Sequence, residues 1–272
     1  MLTDTHCHLD LGKFDGDRLE VLHRAKDAGI SRIMIPGITV ASSHASAALA
    51  EKHEMLFFSI GVHPNDSKAW HADSINEMRT LSEHPKAKAI GEIGLDYFRD
   101  RTPREQQRRM LIEQLKLAAD LALPVIIHMR GAAVDEGESN CASDLIGIIE
   151  EWKEILSNRK SSLYNRPGVL HSFSGTLQTA RKAIEKGFFI GVTGPVTFHN
   201  ARQRQAIIHD IPLQSMLLET DAPYMAPHPV RGRRNEPAFV RLVAEKVAEI
   251  HHVDFEEVAR VTSGNAKDLF NW

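Results

Sequence analysis

The chain has 272 residues, 42% hydrophobic and 25% charged, with a formal net charge of −3 and an isoelectric point near 6.6. That balance is the balance of an ordinary soluble globular protein; it excludes disordered and fibrous classes and any protein that holds duplex nucleic acid on a broad basic face. Two cysteines, Cys7 and Cys141, exclude a disulfide framework and point to a reducing, cytoplasmic setting. The polar "TDTHCH" starting at residue 3 gives no export signal, and no apolar run reaches the ~18 residues of a membrane span.

In chain order, short apolar and β-branched runs recur as strand candidates: "MLTDTH", "RIMIPG", "LFFSIGV", "AKAIGEIGL", "PVIIHM", "GVLHSF", "FFIGVTG" and "MLLETD". Helical patterns lie between them, among them residues 17–28 and 104–121, the latter with Leu111, Leu115 and Ala118 on one side. This alternation predicts an α/β protein with a parallel sheet and helical crossovers. Its unit count favours a (β/α)8 TIM barrel, one domain over residues 1–272, above an open doubly wound sheet. No G-x-G-x-x-G follows the first strand, so the open sheet lacks its usual phosphate loop. Residues 131–167, with the polar "DEGESN" and the charged "SNRKSSLYNRPG", read as an insertion carrying a helix over Ala142–Leu156 between two exposed loops.

The strand candidates end on one chemical class of residue. His6 and His8 end the first, His63 the third, Glu92 the fourth, His128 the fifth, His171 the sixth and Asp221 the eighth. In such a barrel the carboxyl ends of the strands share one mouth, so groups distant in sequence meet there. An H-x-H pair alone means little, because chance supplies about one in a chain with 15 His. On a strand, however, residues i and i+2 face the same way: His6 and His8 can share an ion, while Cys7 turns toward the helix layer as a packed residue.

A single buried His is more often a hydrogen-bonded core residue than a ligand, and Glu92 between Gly91 and Gly94 could be a surface acid at a turn. Together they carry more weight, since an apolar strand buries ionisable groups only when they are paired or metal-bound. Imidazoles and carboxylates without thiolates suit Mg²⁺, Mn²⁺ or Zn²⁺. The set exceeds the roughly three protein ligands of one catalytic zinc, which implies two divalent metal ions with a Glu able to bridge them.

"DTHCHLD", "GVHPN", "GEIGLDY", "VIIHMR", "VLHSFSG", "LLETDAPY" and "PVRGRRNEP", in this order across residues 4–237, strongly resemble the TatD family of metal-dependent deoxyribonucleases, and "SGNAKDLF" extends the match almost to the end. The resemblance implies an amidohydrolase-type TIM barrel and a divalent-metal hydrolase of nucleic-acid phosphodiesters, commonly a 3′-to-5′ exonuclease on single-stranded DNA, in a family associated with DNA repair and DNA breakdown. It implies that His6, His8 and Asp221 hold one metal, His128 and His171 the other, and that Glu92 bridges. Asp221 then accepts a proton from metal-activated water. Glu219, two residues before it and on the same face, becomes a supporting or proton-handling carboxylate, the alternative being an acid paired with a nearby Arg.

His63 and Asn65 of "GVHPN" are expected to contact a phosphate oxygen or the leaving group. Arg231, Arg233 and Arg234 are expected to grip flanking phosphates, a solvated loop being the alternative. A monomer is expected. Two departures stand out: residues 131–167 look long for the family, and Glu92 stands where many relatives of the wider superfamily carry a bridging lysine, which favours the nuclease branch over cyclic-amide hydrolases. The competing readings are a hydrolase of an ester, amide or aminoacyl-tRNA bond, since the same chemistry can attack a carbonyl, and a metal-stabilised binding protein without turnover.

Overall fold

The computed structural model describes residues 1–131 and 140–272. Every strand candidate is a strand: β1 (Leu2–Asp4), β2 (Ile30–Ile35), β3 (Leu56–Ile60), β4 (Ala87–Asp96), β5 (Val125–Arg130), β6 (Gly168–His171), β7 (Phe189–Val192) and β8 (Met216–Leu218). They pair in chain order, each pair parallel. Just past the strands, β8 returns to β1 through backbone bonds: Thr5 N–H to Leu218 O (3.0 Å), Asp221 N–H to His6 O (2.9 Å) and His8 N–H to Ala222 O (2.8 Å). The sheet closes into a (β/α)8 TIM barrel, as expected.

The helices are α1 (Arg18–Asp27), α2 (Val40–Lys52), α3 (Ser74–Leu81), α4 (Arg104–Leu121), α5 (Asn140–Asn158), α6 (Leu177–Glu185), α7 (Arg202–Asp210), α8 (Val240–His251) and α9 (Phe255–Phe270). Their limits follow local chemistry. Thr39 and Ser42 form a reciprocal capping box at the start of α2, and α4 stops where Ala122 turns left-handed at φ 53°. The helix expected over Ala142–Leu156 is α5, two residues longer at each end; residues 132–139 of the expected insertion lie outside the described residues. Among the described residues no helix is long and apolar enough to cross a membrane.

Strand residues alternate between two apolar layers. Met34, Ala89, Ile126, Val169 and Leu217 form one cluster with Ala266, Leu269 and Phe270 of α9, which fills the barrel and closes its floor. Their neighbours Ile33, Ile35, Ile90 and Ile127 join the larger layer packed with the helices. With the barrel apolar to this height, polar side chains gather at its mouth. Register places them: His128 pairs with His171, and Gly94 with His128. A side chain at Gly94, whose φ is +145°, would sit 2.0 Å from His128 O, so only glycine lets β4 and β5 run this close beside Glu92.

Candidate metal centre

Six strand ends bring His6, His8, His63, Glu92, His128, His171 and Asp221 together. His6 Nε2 lies 3.3 Å from His8 Nε2 and 3.4 Å from Glu92 Oε2, and His8 Nε2 lies 3.4 Å from Asp221 Oδ1. The other oxygen of Glu92, Oε1, faces His128 Nδ1 at 2.7 Å, His63 Nε2 at 3.8 Å and His171 Nε2 at 3.9 Å. One carboxylate therefore serves two sets of imidazoles, one oxygen each. Possible ligand atoms fall within 4.8 Å of one another in His6, His8 and Asp221, in His6, Glu92 and His171, and in His63, Glu92 and His128. His63, expected to serve substrate rather than an ion, thus stands in the third group.

β1 ends at Asp4, before the histidines, so the strand expected through His6 is shorter. The i, i+2 consequence holds: His6 and His8 converge, while Cys7 between them is fully buried in the apolar layer, bridged to Ala222.

His171, His63 and His128 each have a partner that sets the orientation of the ring. Glu219, completely buried, sits 3.0 Å from His171 Nδ1 through Oε2, which also accepts the Ser172 N–H at 2.9 Å. It is not paired with an Arg. Gly191 leaves room for it, since a Cβ there would stand 2.4 Å from Glu219 Oε2. His63 Nδ1 accepts the Asn65 backbone N–H at 3.1 Å, which puts the proton of the neutral ring on Nε2, the atom facing Glu92.

Two carboxylates were not foreseen. Asp96 Oδ2 accepts from Asn65 Nδ2 at 2.8 Å and faces His128 Nε2 at 3.3 Å, while Oδ1 accepts the N–H groups of Phe98 and Arg99. The signal was present: residues 92, 94 and 96 share a strand face by the rule that joins His6 to His8. Asp4, fully buried, accepts the Thr220 N–H (2.9 Å) and hydroxyl (2.6 Å) and the His6 N–H (3.3 Å), tying the β1 and β8 ends together.

The expected arginines lie elsewhere. Arg231 is exposed and stacks 4.4 Å from the Phe198 ring centre, Arg233 is exposed, and Arg234 is held by Asp17 at 2.6 and 2.7 Å and by Lys13 O at 2.8 Å. None lines the cavity of about 410 Å³ above the cluster; Arg99, Arg130 and Arg204 do, with His8, Glu92 and Asp221. Asn65 has its amide taken up by Asp96 and by the Arg101 N–H.

The electrostatics call for a cation. Burial opposes charge on Glu92, yet hydrogen bonds from His128 and His6 outweigh it and hold this carboxyl well below its ordinary pKa. Burial, then the charge of His171, brings His6 down to about 4, so its ring is neutral with a lone pair to give. Burial likewise opposes charge on His171, but Glu219, Glu92 and Asp221 lift it to about 10. Asp96 stays ionised near 2 because His128 outweighs its burial, whereas burial pushes Asp4 up to about 7. His6 Nδ1 and His8 Nδ1 are buried without a hydrogen-bond partner, while their Nε2 atoms converge on each other and on two carboxylates. Such a donor set fits a divalent cation better than shared protons.

A (β/α)8 barrel whose strand ends aim imidazoles and carboxylates into one cavity defines the metal-dependent hydrolase class of TIM barrels. The profile of the TatD related DNase family matches residues 3–271. The chain is 36% identical over 271 residues to the uncharacterized metal-dependent hydrolase YabD of Bacillus subtilis (strain 168), covering 99% of each chain. It is 33% identical over 273 residues to the 3′-5′ ssDNA/RNA exonuclease TatD of Cronobacter sakazakii, covering 98% and 97% of the two chains. Among solved structures it is similar to YjjV, a TatD homolog from Escherichia coli K12, with a TM-score of 0.88, 34% identity and coverage of 100% and 98%. The chain belongs to the TatD family and is a metal-dependent hydrolase.

Proposed function

We propose that the enzyme is a two-metal exonuclease that hydrolyses phosphodiester bonds of single-stranded DNA from the 3′ end. The observation that carries this is the split carboxylate of Glu92, with Oε2 turned to His6 and His8 and Oε1 to His128. Ions of the Mg²⁺, Mn²⁺ or Zn²⁺ kind, held by His6, His8 and Asp221 and by His128 and His171 with Glu92 shared, would polarise the phosphate and lower the pKa of water toward neutrality.

The chain's own groups do the rest. Asp221 turns Oδ1 toward His8 and leaves Oδ2 to take the proton of the attacking water. Glu219 keeps the His171 proton on Nδ1 and so frees Nε2. His63 presents Nε2–H to a phosphate oxygen or to the leaving group, and Asn65 serves substrate by holding that ring from behind. Arg231 and Arg233, on the loop that leaves the cavity at Tyr224 and Met225, would touch the strand away from the cluster. DNA repair or turnover is the setting this activity fits. A monomeric cytoplasmic enzyme is the form we propose, the two buried free thiols suiting a reducing compartment.

Arginines at the cavity favour a phosphodiester over an amide or ester, because a neutral carbonyl substrate has no use for them. The test incubates the protein with 3′- and 5′-labelled single-stranded oligonucleotides, with each ion or with chelator, beside Glu92→Ala. Shortening from the 3′ end is expected, abolished by chelator and lowered about 10³-fold or more in the variant. Products indifferent to both would contradict the proposal. Cleavage of esters or amides alone would support the carbonyl reading instead.

A further inference from the structure

A second cavity of about 560 Å³ adjoins the one over the cluster, and Met129, Arg130, Ser174 and Arg204 line both. Arg204 is the unexplained group. It is half-buried on α7, its Nη1 donates to Phe173 O at 2.7 Å, and burial pushes it below the ordinary arginine pKa with no carboxylate among the described residues to offset the penalty. A guanidinium withdrawn from water and left without an anion is unfavourable unless a ligand brings one. Its planar fork matches the oxygens of a phosphate. Arg130 stands at the same junction, its guanidinium 4.2 Å from the ring centre of Phe98, a large apolar side chain left 47% exposed. Beyond these two, the wall mixes the apolar side chains of Phe98, Phe173 and Ile207 with the polar ones of Thr176, Thr179 and Gln203, a lining that suits a base and its sugar.

We propose that this second cavity is a subsite for a neighbouring nucleotide of the substrate strand, its base against Phe98 and Phe173 and the phosphate on its cluster-facing side held by Arg204 and Arg130. The proposal rests on the nuclease reading and deepens it: the enzyme reads a single strand at least two nucleotides long. A duplex would keep its bases stacked and paired, whereas a cavity of this kind takes a base that has been splayed out.

Two full-length variants test it, Arg204→Gln and Phe98→Ala; the second removes an exposed ring and so leaves folding intact. Binding of a 5′-fluorophore-labelled, phosphorothioate-linked single-stranded tetranucleotide is followed by anisotropy, with the ion that supports cleavage present. Arg204→Gln is expected to weaken binding at least about tenfold and to lower the salt slope by about one ion. Phe98→Ala is expected to weaken it about tenfold with the slope unchanged. In both, KM for the unmodified tetranucleotide rises relative to KM for bis(p-nitrophenyl) phosphate, which is too small to reach the second cavity. Wild-type binding and preference in both variants would overturn the subsite while leaving cleavage, and hence the nuclease reading, in place. A wild-type protein that neither binds nor cleaves the tetranucleotide overturns both.

Discussion

The two halves of the cluster are braced by different means. His6, His8 and Asp221 stand where the barrel closes, and Asp4 joins the two chain segments through the Thr220 N–H and hydroxyl and the His6 N–H. His63 follows β3 and His128 lies in β5, strands that are not adjacent but each pair with β4, and a side-chain relay connects them: Asp96 takes Asn65 on one side and His128 on the other. In the first half, ligand geometry and barrel closure are one structure. In the second, ligand geometry is set by a removable hydrogen-bond relay, so affinity there can change without loss of the fold.

Substitutions can break this contrast. Asp4→Ala leaves the Thr220 and His6 N–H groups inside the barrel without an acceptor, and a buried donor stranded in this way costs about 1–3 kcal/mol. A clear loss in the urea midpoint is expected, together with weakened binding at His6 and His8. Unfolding at the wild-type midpoint would remove Asp4 from the closure. Asp96→Asn should unfold close to wild type yet bind its ion about 10–100-fold more weakly, read by calorimetric titration. Equal losses of stability in the two variants would mean that the halves are braced alike.

The smallest effect is expected far from the cluster, where Arg234 and Arg24 hold Asp17 down to about 2. A carboxyl depressed in the folded state contributes stability that is fully present above its unfolded value of 3.8 and lost as pH falls through about 2. Asp17→Asn should therefore lower Tm slightly at pH 7, and the gap from wild type should close as pH falls toward 2. A gap independent of pH would exclude the ion pairs as its source.

The barrel was legible because apolar runs of strand length, separated by helical stretches, leave few other packings; α4 was found to the residue, and every polar strand end lies at the mouth. The cluster was legible for the same reason, since period-two alternation says which side chains face together. That rule also reaches Asp96 through Glu92 and Gly94, and it was not applied far enough. Asp4 was beyond it, because its role lies in a meeting of residues 4 and 220 that only closure creates.

The arginines were less legible. Arg231, Arg233 and Arg234 follow Asp221 closely in sequence, yet none of them lines the cavity over the cluster, and Asp17 holds Arg234 in the folded chain. Arg204 reads in sequence as an ordinary polar residue of α7. Its burial beside the cavity comes from packing between distant elements, which local pattern does not encode.

Metal content per chain is the most direct measurement of the central claim. After equilibrium dialysis against Mn²⁺ or Zn²⁺, mass spectrometry of the wild-type chain should find two ions, Asp221→Ala should retain one, and Glu92→Ala at most one. A single ion in the wild type, unchanged in Glu92→Ala, would contradict a carboxylate shared between two centres.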